Sequence, residues 1–159
     1  MSTALPSSVL RAPARALLVL VASLALLAGF SAGPAAPRAE AAVSLSVSDQ
    51  ALRSVATRAG MPYVYGATGP TRFDCSGLTQ WSYRQAGVAI PRTAAQQAAA
   101  STRVSRPRVG DLVFFYSSSG SVYHVGIYAG YGQVWDAPKP GRVVSKRKIW
   151  TSAVFYGRP

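Results

Sequence analysis

The sequence is poor in the residues that most often carry chemistry. Its 159 residues include one cysteine, Cys75, one histidine, His124, and five acidic side chains. A single cysteine cannot form an internal disulfide, and an ordinary zinc site would need two carboxylates to join these two residues. Neither a phosphate-binding glycine loop nor a dinucleotide-binding fingerprint is present. We therefore expect no metal and no cofactor.

The first 41 residues have the order of a secretory signal peptide. Arg11 and Arg15 precede an apolar run over residues 16–30, and Ala39-Glu40-Ala41 is a small-residue cleavage site. The apolar run is shorter than the roughly 20 residues that cross a bilayer, so a retained membrane anchor is the less favoured alternative. We expect a secreted protein without a stable membrane anchor.

Cleavage after Ala41 would leave enough residues for one compact domain with a core, and too few for two. We expect a signal peptide over residues 1–41, a short segment over 42–48, and a single domain over 49–159. The domain is expected to be a monomer.

Basic residues dominate the predicted domain. Residues 42–159 hold 14 Lys and Arg against four Asp, which favours attraction to a polyanion. For an exported protein, an anionic cell wall is the expected partner. Nucleic acid is not, because no zinc, helix-turn-helix or RNA-binding signature is present. Solubility alone is the alternative explanation of the charge.

Helical patterns come first in the domain and strand patterns second. We predict helices over residues 46–60, 75–87 and 93–100, with Ser48 or Asp49 capping the first and Thr93 the third. Apolar or alternating runs then predict strands over 112–116, 123–129, 133–136, 142–148 and 154–156. This order is typical of an α+β fold with an antiparallel sheet.

Cys75 is predicted to lie in the first turn of the second helix, after a glycine-containing turn region. The unpaired N–H groups and the positive dipole end of a helix favour a thiolate over a thiol. A thiolate is the nucleophilic form of cysteine, so this position suits covalent catalysis. The alternative is a buried, inert thiol.

His124 is predicted to lie on the strand face opposite Val125. If residues 129–131 form a three-residue hairpin loop, His124 and Asp136 face each other directly on paired strands. Cys75 would then be the nucleophile, His124 the base, and Asp136 the group that orients the imidazole ring. The alternatives are a structural histidine, and an Asp136 that serves a turn or a salt bridge to Lys139 or Arg142.

Several sequence blocks occur in one order. They are Pro62-Tyr63-Val64-Tyr65-Gly66, Phe73-Asp74-Cys75-Ser76-Gly77-Leu78, Pro91-Arg92-Thr93-Ala94-Ala95-Gln96-Gln97, Gly110-Asp111-Leu112-Val113-Phe114-Phe115, His124-Val125-Gly126-Ile127-Tyr128, and Ala137-Pro138 through Gly141. Together they resemble the NlpC/P60 family of cell-wall cysteine peptidases. The resemblance runs from about Leu52 to Tyr156.

This resemblance implies a papain-like α+β fold and hydrolysis of peptide bonds in bacterial peptidoglycan stems, usually between D-isoglutamate and the following diamino acid. By position, Cys75 matches the nucleophile and His124 the base. Tyr63 matches a tyrosine that positions the substrate or the oxyanion, with a packed aromatic as the alternative. We also expect Asp74 and Ser76, which flank the nucleophile, to contribute to the substrate or oxyanion site.

One position departs from the commonest family pattern. The third member of such sites is most often a histidine, and Asp136 stands in its place. A carboxylate can orient the ring and should hold His124 protonated to higher pH than a neutral partner would.

The main hypothesis is therefore a secreted peptidoglycan endopeptidase that acts through a thiol acyl-enzyme. A non-catalytic wall-binding module, an amidase or acyltransferase with the same Cys–His pair, and a cationic membrane-disrupting protein are the alternatives.

Overall fold

The computed structural model describes residues 45–159, so the predicted signal peptide lies outside the described residues. Three helices come first in this range: α1 (Val47–Ala56), α2 (Cys75–Gln85) and α3 (Ala94–Ala100). The strands follow: β1 (Thr102–Val104), β2 (Leu112–Tyr116), β3 (Val122–Gly130), β4 (Gln133–Asp136), β5 (Ser145–Lys148) and β6 (Val154–Arg158). The paired strands are antiparallel and form one sheet in the order β1-β6-β2-β3-β4-β5. The predicted α+β layout is confirmed.

The N-cap of helix α1 lies earlier than predicted, and the helix ends at Ala56 rather than at residue 60. Ser46 is its N-cap, and its hydroxyl oxygen accepts a hydrogen bond from the Asp49 backbone N–H at 3.1 Å. The predicted cap at Ser48 or Asp49 is therefore wrong. Asp49 lies in the first turn, where a negative charge is stabilised by the helix dipole, and its carboxylate accepts a hydrogen bond from the Ser46 hydroxyl.

The sheet buries side chains on both faces because successive strand residues point to opposite sides. One face packs against the helices and forms the main core; its largest buried members include Phe73, Leu78, Leu112, Phe114, Val125 and Ile127. The other face carries a smaller cluster of Val113, Phe115 and Val134. His124 lies on this second face, as its alternation with Val125 predicts.

Two strand predictions differ from the structure by more than two residues. Strand β1 was not predicted, because its three residues are largely exposed and show no apolar pattern. Strand β5 begins at Ser145 rather than at 142, since Arg142 lies in a turn and Val143 makes an isolated bridge to Pro62.

The β3–β4 hairpin has a different register from the predicted one. Ile127 pairs with Trp135, and the register shifts between Tyr128 and Gly130. Continuing this pairing places Gly126, not His124, opposite Asp136, so the predicted direct pairing is wrong by two residues. A shift of two keeps a side chain on the same face, which leaves His124 and Asp136 as diagonal neighbours.

Gly126 makes this diagonal contact possible. A Cβ atom there would lie 2.4 Å from Val134 Cγ2 and 3.1 Å from the Asp136 Cβ. The missing side chain thus leaves the space through which the Asp136 carboxylate reaches His124.

Among residues 45–159, no helix is both long enough and apolar enough to cross a membrane.

Candidate active site

Cys75 is the first residue of α2 and is partly exposed in a surface cleft. The first N–H groups of a helix have no partner within the helix, so they point toward whatever lies beyond its end. A negative charge on the sulfur or on a nearby oxygen is favoured at this end of the helix dipole. The position matches the predicted one.

The imidazole of His124 lies in the same cleft as Cys75 and contacts Asp136. Its Nε2 is 2.7 Å from Asp136 Oδ2, and the ring borders the same cavity as Cys75. Because Nε2 is engaged by the carboxylate, Nδ1 is the nitrogen left for the sulfur. The structure therefore brings the three predicted side chains together.

Asp136 is shared between two cations. Its side chain is fully buried, and besides His124 it accepts two hydrogen bonds from Arg147, with the Nε–Oδ1 distance at 2.9 Å. Asp136 thus forms a salt bridge, but with Arg147 rather than with Lys139 or Arg142.

The pKa of His124 is raised from 6.5 to about 9. Burial lowers the pKa, but the hydrogen bond to Asp136 and the negative charges of Asp136 and the neighbouring Cys75 outweigh it. For Asp136, burial raises the pKa, and the hydrogen bonds from Arg147 and His124 outweigh it, so that the net pKa lies below the ordinary value. The pair is therefore an imidazolium–carboxylate ion pair at neutral pH.

Aromatic rings pack beside the imidazole. Phe115 lies 5.2 Å and Trp150 5.7 Å from the His124 ring, centroid to centroid, and these two rings stack on each other at 4.1 Å. The Arg147 guanidinium lies 3.9 Å from the Trp150 ring centroid. Arg147 thus contacts both the Asp136 carboxylate and the Trp150 ring.

Asp74 anchors the helix that carries the nucleophile. Its carboxylate accepts hydrogen bonds from the backbone N–H of Gly77 at 2.7 Å and of Gly66 at 2.9 Å, and it forms an ion pair with Arg92. Arg92 also donates to the Ser76 hydroxyl at 2.9 Å. Both carboxylate oxygens are occupied, so these contacts favour a structural role for Asp74 over the predicted contact with substrate.

Tyr63 borders the cleft beside Cys75 and packs partly against the main core. Burial raises the pKa of Tyr63 above its ordinary value, and the negative charges of Cys75 and Asp74 raise it further. The phenol therefore remains a hydrogen-bond donor at any pH at which the protein would work.

The cleft consists of two adjoining cavities, and Cys75 lines both. One, of about 300 Å³, is bordered by Tyr63, Cys75, Tyr123, His124, Pro138, Lys139, Arg147 and Trp150. The other, of about 510 Å³, extends past Tyr65, Ser76, Arg92 and Thr93. An extended chain could therefore cross the sulfur from one cavity to the other.

Sequence reasoning missed Arg147 and Trp150 as parts of this site, and it gave Arg92 no role. Arg147 lies in the basic run Ser145–Lys148, where every second residue is exposed and no pattern separates it from its neighbours. For Arg92, its presence in a block shared with the family was the available signal. In the described part of the chain, no three His, Cys, Asp or Glu side chains group in a way that could hold a metal ion.

The site is thus a thiol at a helix N-terminus, an imidazole beside it, and a carboxylate behind the ring, on an α+β scaffold of the papain type. The NlpC/P60 family model matches residues 60–156. The chain therefore belongs to the NlpC/P60 family.

Curated relatives carry endopeptidase names. A probable endopeptidase of Corynebacterium glutamicum is 45% identical over 116 residues, which cover 72% of this chain and 54% of that protein. The bifunctional muramidase/DL-endopeptidase CwlT of Bacillus subtilis is 41% identical over 107 residues, covering 62% of this chain and 32% of CwlT. The chain thus spans about half the length of the first relative and about a third of the second.

One solved structure with a similar fold is described as non-catalytic. RipD of Mycobacterium tuberculosis, described as a non-catalytic NlpC/p60 domain protein adapted to peptidoglycan binding, aligns with a TM-score of 0.61 at 29% identity. The alignment covers 72% of this chain and 98% of RipD. Family membership alone therefore does not establish catalysis, and the site residues must carry that argument.

Proposed function

We propose that this protein is a secreted cysteine endopeptidase that hydrolyses peptide bonds in peptidoglycan stem peptides, at the bond between D-isoglutamate and the following diamino acid. The observation that carries the proposal is that Cys75 and His124 border one cavity while Asp136 is hydrogen-bonded to His124 Nε2. The endopeptidase names of the two relatives support the reaction class.

In the first half-reaction, the Cys75 thiolate attacks the scissile carbonyl carbon and forms a C–S bond. The carbonyl oxygen becomes an oxyanion, which the N–H groups at the start of α2 and the Tyr63 hydroxyl would stabilise. The His124 imidazolium then donates its Nδ1 proton to the leaving nitrogen, the C–N bond breaks, and a thioester remains.

In the second half-reaction, water attacks the thioester carbon. Neutral His124 accepts a proton from that water, the C–S bond breaks, and the acyl fragment leaves as a carboxylic acid. Asp136 orients the ring and stabilises its cationic form, and Arg147 holds Asp136 as an anion. Asp74, Ser76 and Arg92 act as positioning residues that fix the N-terminus of α2.

We further propose that residues 1–41 are a signal peptide, that 42–48 form a short segment, that the domain extends over 49–159 as a monomer, and that it acts at the bacterial cell wall. Its basic surface would retain it on peptidoglycan and other anionic wall polymers. Nucleic acid plays no part in this proposal.

The test is digestion of purified peptidoglycan by the protein and by its Cys75→Ala variant, with released fragments identified by mass spectrometry. We expect the wild-type protein to release fragments that end in D-isoglutamate and Cys75→Ala to release none. Full cleavage by Cys75→Ala would contradict the proposed mechanism.

A second candidate function is peptidoglycan binding without cleavage, which the description of RipD supports. The same digestion separates the two. A protein that cosediments with peptidoglycan but releases no fragment would be a binding module, and its Cys75→Ala variant would bind equally well.

A further inference from the structure

The two cavities that meet at Cys75 are not equivalent, because His124 borders only one of them. The smaller cavity contains His124 together with Lys139, Arg147 and Trp150. The larger one contains Cys75 but not His124. This asymmetry assigns a direction to a bound peptide.

The direction follows from the path of the proton. In the proposed reaction His124 must donate a proton to the leaving nitrogen, so this nitrogen has to lie on the His124 side of the sulfur. The residue that follows the scissile bond therefore occupies the smaller cavity, and the acyl residue occupies the larger one.

The smaller cavity has a positive charge that nothing in the described part of the chain neutralises. Arg147 is paired with Asp136, and His124 shares the same carboxylate. Lys139 is exposed and forms no ion pair with any described residue, and the cavity lining includes no carboxylate. A ligand that fits this cavity by charge must bring a negative group of its own.

Lys139 is also held in place by its neighbours. Pro138 and Pro140 flank it, so the backbone on both sides has restricted φ angles. Residues 139–142 form a tight turn, in which the Arg142 N–H donates to the Lys139 carbonyl at 3.1 Å. Pro140 and Gly141 are its two central residues, and the positive φ of Gly141, +78°, is typical of this kind of turn. A rigid backbone lowers the entropy cost of presenting the ammonium group to a ligand.

We propose that Lys139 binds a carboxylate on the residue that follows the scissile bond, and that it makes the protein selective for stem fragments that carry one. This inference rests on the proposed endopeptidase function. Two kinds of carboxylate could bind Lys139: the main-chain carboxylate of a terminal residue, and the side-chain carboxylate of a diamino diacid such as diaminopimelate.

The experiment uses three peptides with the same L-alanyl-D-isoglutamyl acyl part and different leaving residues. The first leaving residue is lysine amide, with no carboxylate; the second is lysine with a free main-chain carboxylate. The third is diaminopimelate with its main-chain carboxyl amidated, so that only the side-chain carboxylate remains. We expect the wild-type kcat/KM to be about tenfold higher for at least one carboxylate peptide than for lysine amide.

Lys139→Met should remove this preference, mainly through a higher KM for the favoured peptide, and should change kcat/KM for the lysine amide peptide by a much smaller factor. Lys139→Arg should restore most of it because the positive charge is retained. Lys148→Met is the matched control: it removes the same charge from an exposed position on β5 that borders neither cavity. Raising the ionic strength should shrink the wild-type preference, since the contact is exposed to solvent.

The outcomes distinguish a failure of the proposed role of Lys139 from a failure of the proposed endopeptidase function. Cleavage of none of the peptides would remove the proposed function and the inference with it. Equal cleavage of all three, or a preference that Lys139→Met leaves intact, would overturn the role of Lys139 while the endopeptidase proposal stands. The favoured peptide identifies the carboxylate source, and thermal melting of each variant shows that the comparison is made on folded protein.

Discussion

At the scale of single residues, Asp136 is the side chain on which the proposed chemistry depends most. It is fully buried and binds His124 on one side and Arg147 on the other. Removing its charge would leave two cations facing a neutral group, so the change affects the protonation of the ring and the folding free energy together.

We predict that Asp136→Asn lowers kcat/KM on a stem peptide by about a hundredfold or more, because the ring loses its orientation and its counter-charge. The free energy of unfolding should fall by only about 1–3 kcal/mol, since Arg147 is partly exposed and can regain water. Peptide hydrolysis and urea unfolding measure the two effects. A large stability loss with near-normal turnover would make Asp136 structural.

The raised pKa of His124 predicts a loss of stability at alkaline pH. Folding raises this pKa from 6.5 to about 9, so the folded state retains the proton across this range while the unfolded chain loses it. The stabilisation is complete below pH 6.5 and disappears as the pH rises through about 9.

The measurement compares the wild-type protein with His124→Gln by urea unfolding at pH 6 and pH 10. The free energy of unfolding of the wild-type protein should exceed that of His124→Gln by about 3 kcal/mol less at pH 10 than at pH 6. Because His124 is the only histidine in the sequence, a single imidazole resonance in NMR follows the titration directly. A titration midpoint near 6.5 would contradict the ion pair.

At the scale of elements, the start of α2 and the β3–β4 hairpin bring the two halves of the site together. The carboxylate of Asp74 joins the helix end to Gly66 in the preceding loop and to Arg92 before α3. The first turn also approaches that loop closely, since a Cβ on Gly77 would lie 2.1 Å from the Ala67 carbonyl oxygen.

We predict that Asp74→Ala destabilises the domain by about 2–4 kcal/mol, because it removes an N-cap and leaves buried donors without a partner. Ser46→Ala is the matched control, since it removes only the exposed cap of α1 and should cost about 1 kcal/mol. Urea unfolding gives both values. Equal losses would show that Asp74 is an ordinary cap.

Gly126→Ala tests the hairpin. The added Cβ would lie 2.7 Å from the Trp135 carbonyl oxygen and would displace the Val134 and Asp136 side chains. We expect a stability loss of about 1–3 kcal/mol together with weaker peptide hydrolysis, measured by thermal melting and kinetics. Unchanged activity in a folded Gly126→Ala protein would show that the diagonal contact tolerates displacement.

At the scale of the whole molecule, the distribution of charge separates the buried acids from the exposed bases. Asp74, Asp111 and Asp136 are buried, and each pairs with an arginine: Arg92, Arg158 and Arg147. Most of the basic side chains in residues 45–159 therefore have no acidic neighbour, which is the charge distribution expected of a surface that binds polyanions.

We predict that binding to purified peptidoglycan with its anionic polymers attached weakens steeply between 50 mM and 500 mM salt. Cosedimentation of Cys75→Ala measures binding without digestion, and peptidoglycan stripped of anionic polymers is the control substrate. Retention that does not change with salt would show that the charge serves solubility.

Much of this molecule could be predicted from local patterns. The order of the three helices and of strands β2 to β6, the bounds 112–116 and 133–136, and the place of Cys75 at the start of α2 follow from periodicity, turn residues and caps. The shift in the β3–β4 hairpin could not be predicted, because Gly130 and Gly132 with positive φ permit several loop types of similar energy.

By itself, the sequence determined the kind of chemistry: one thiol, one imidazole and few carboxylates leave few ways to build a reactive centre. The tertiary structure alone decided which groups surround that centre. Arg147 and Trp150 are distant from Cys75 along the chain and carry no local pattern, and they reach the cleft because β5 pairs with β4 at the sheet edge beside Asp136. Local rules act over a few residues, whereas contacts between distant residues depend on the packing of the whole sheet.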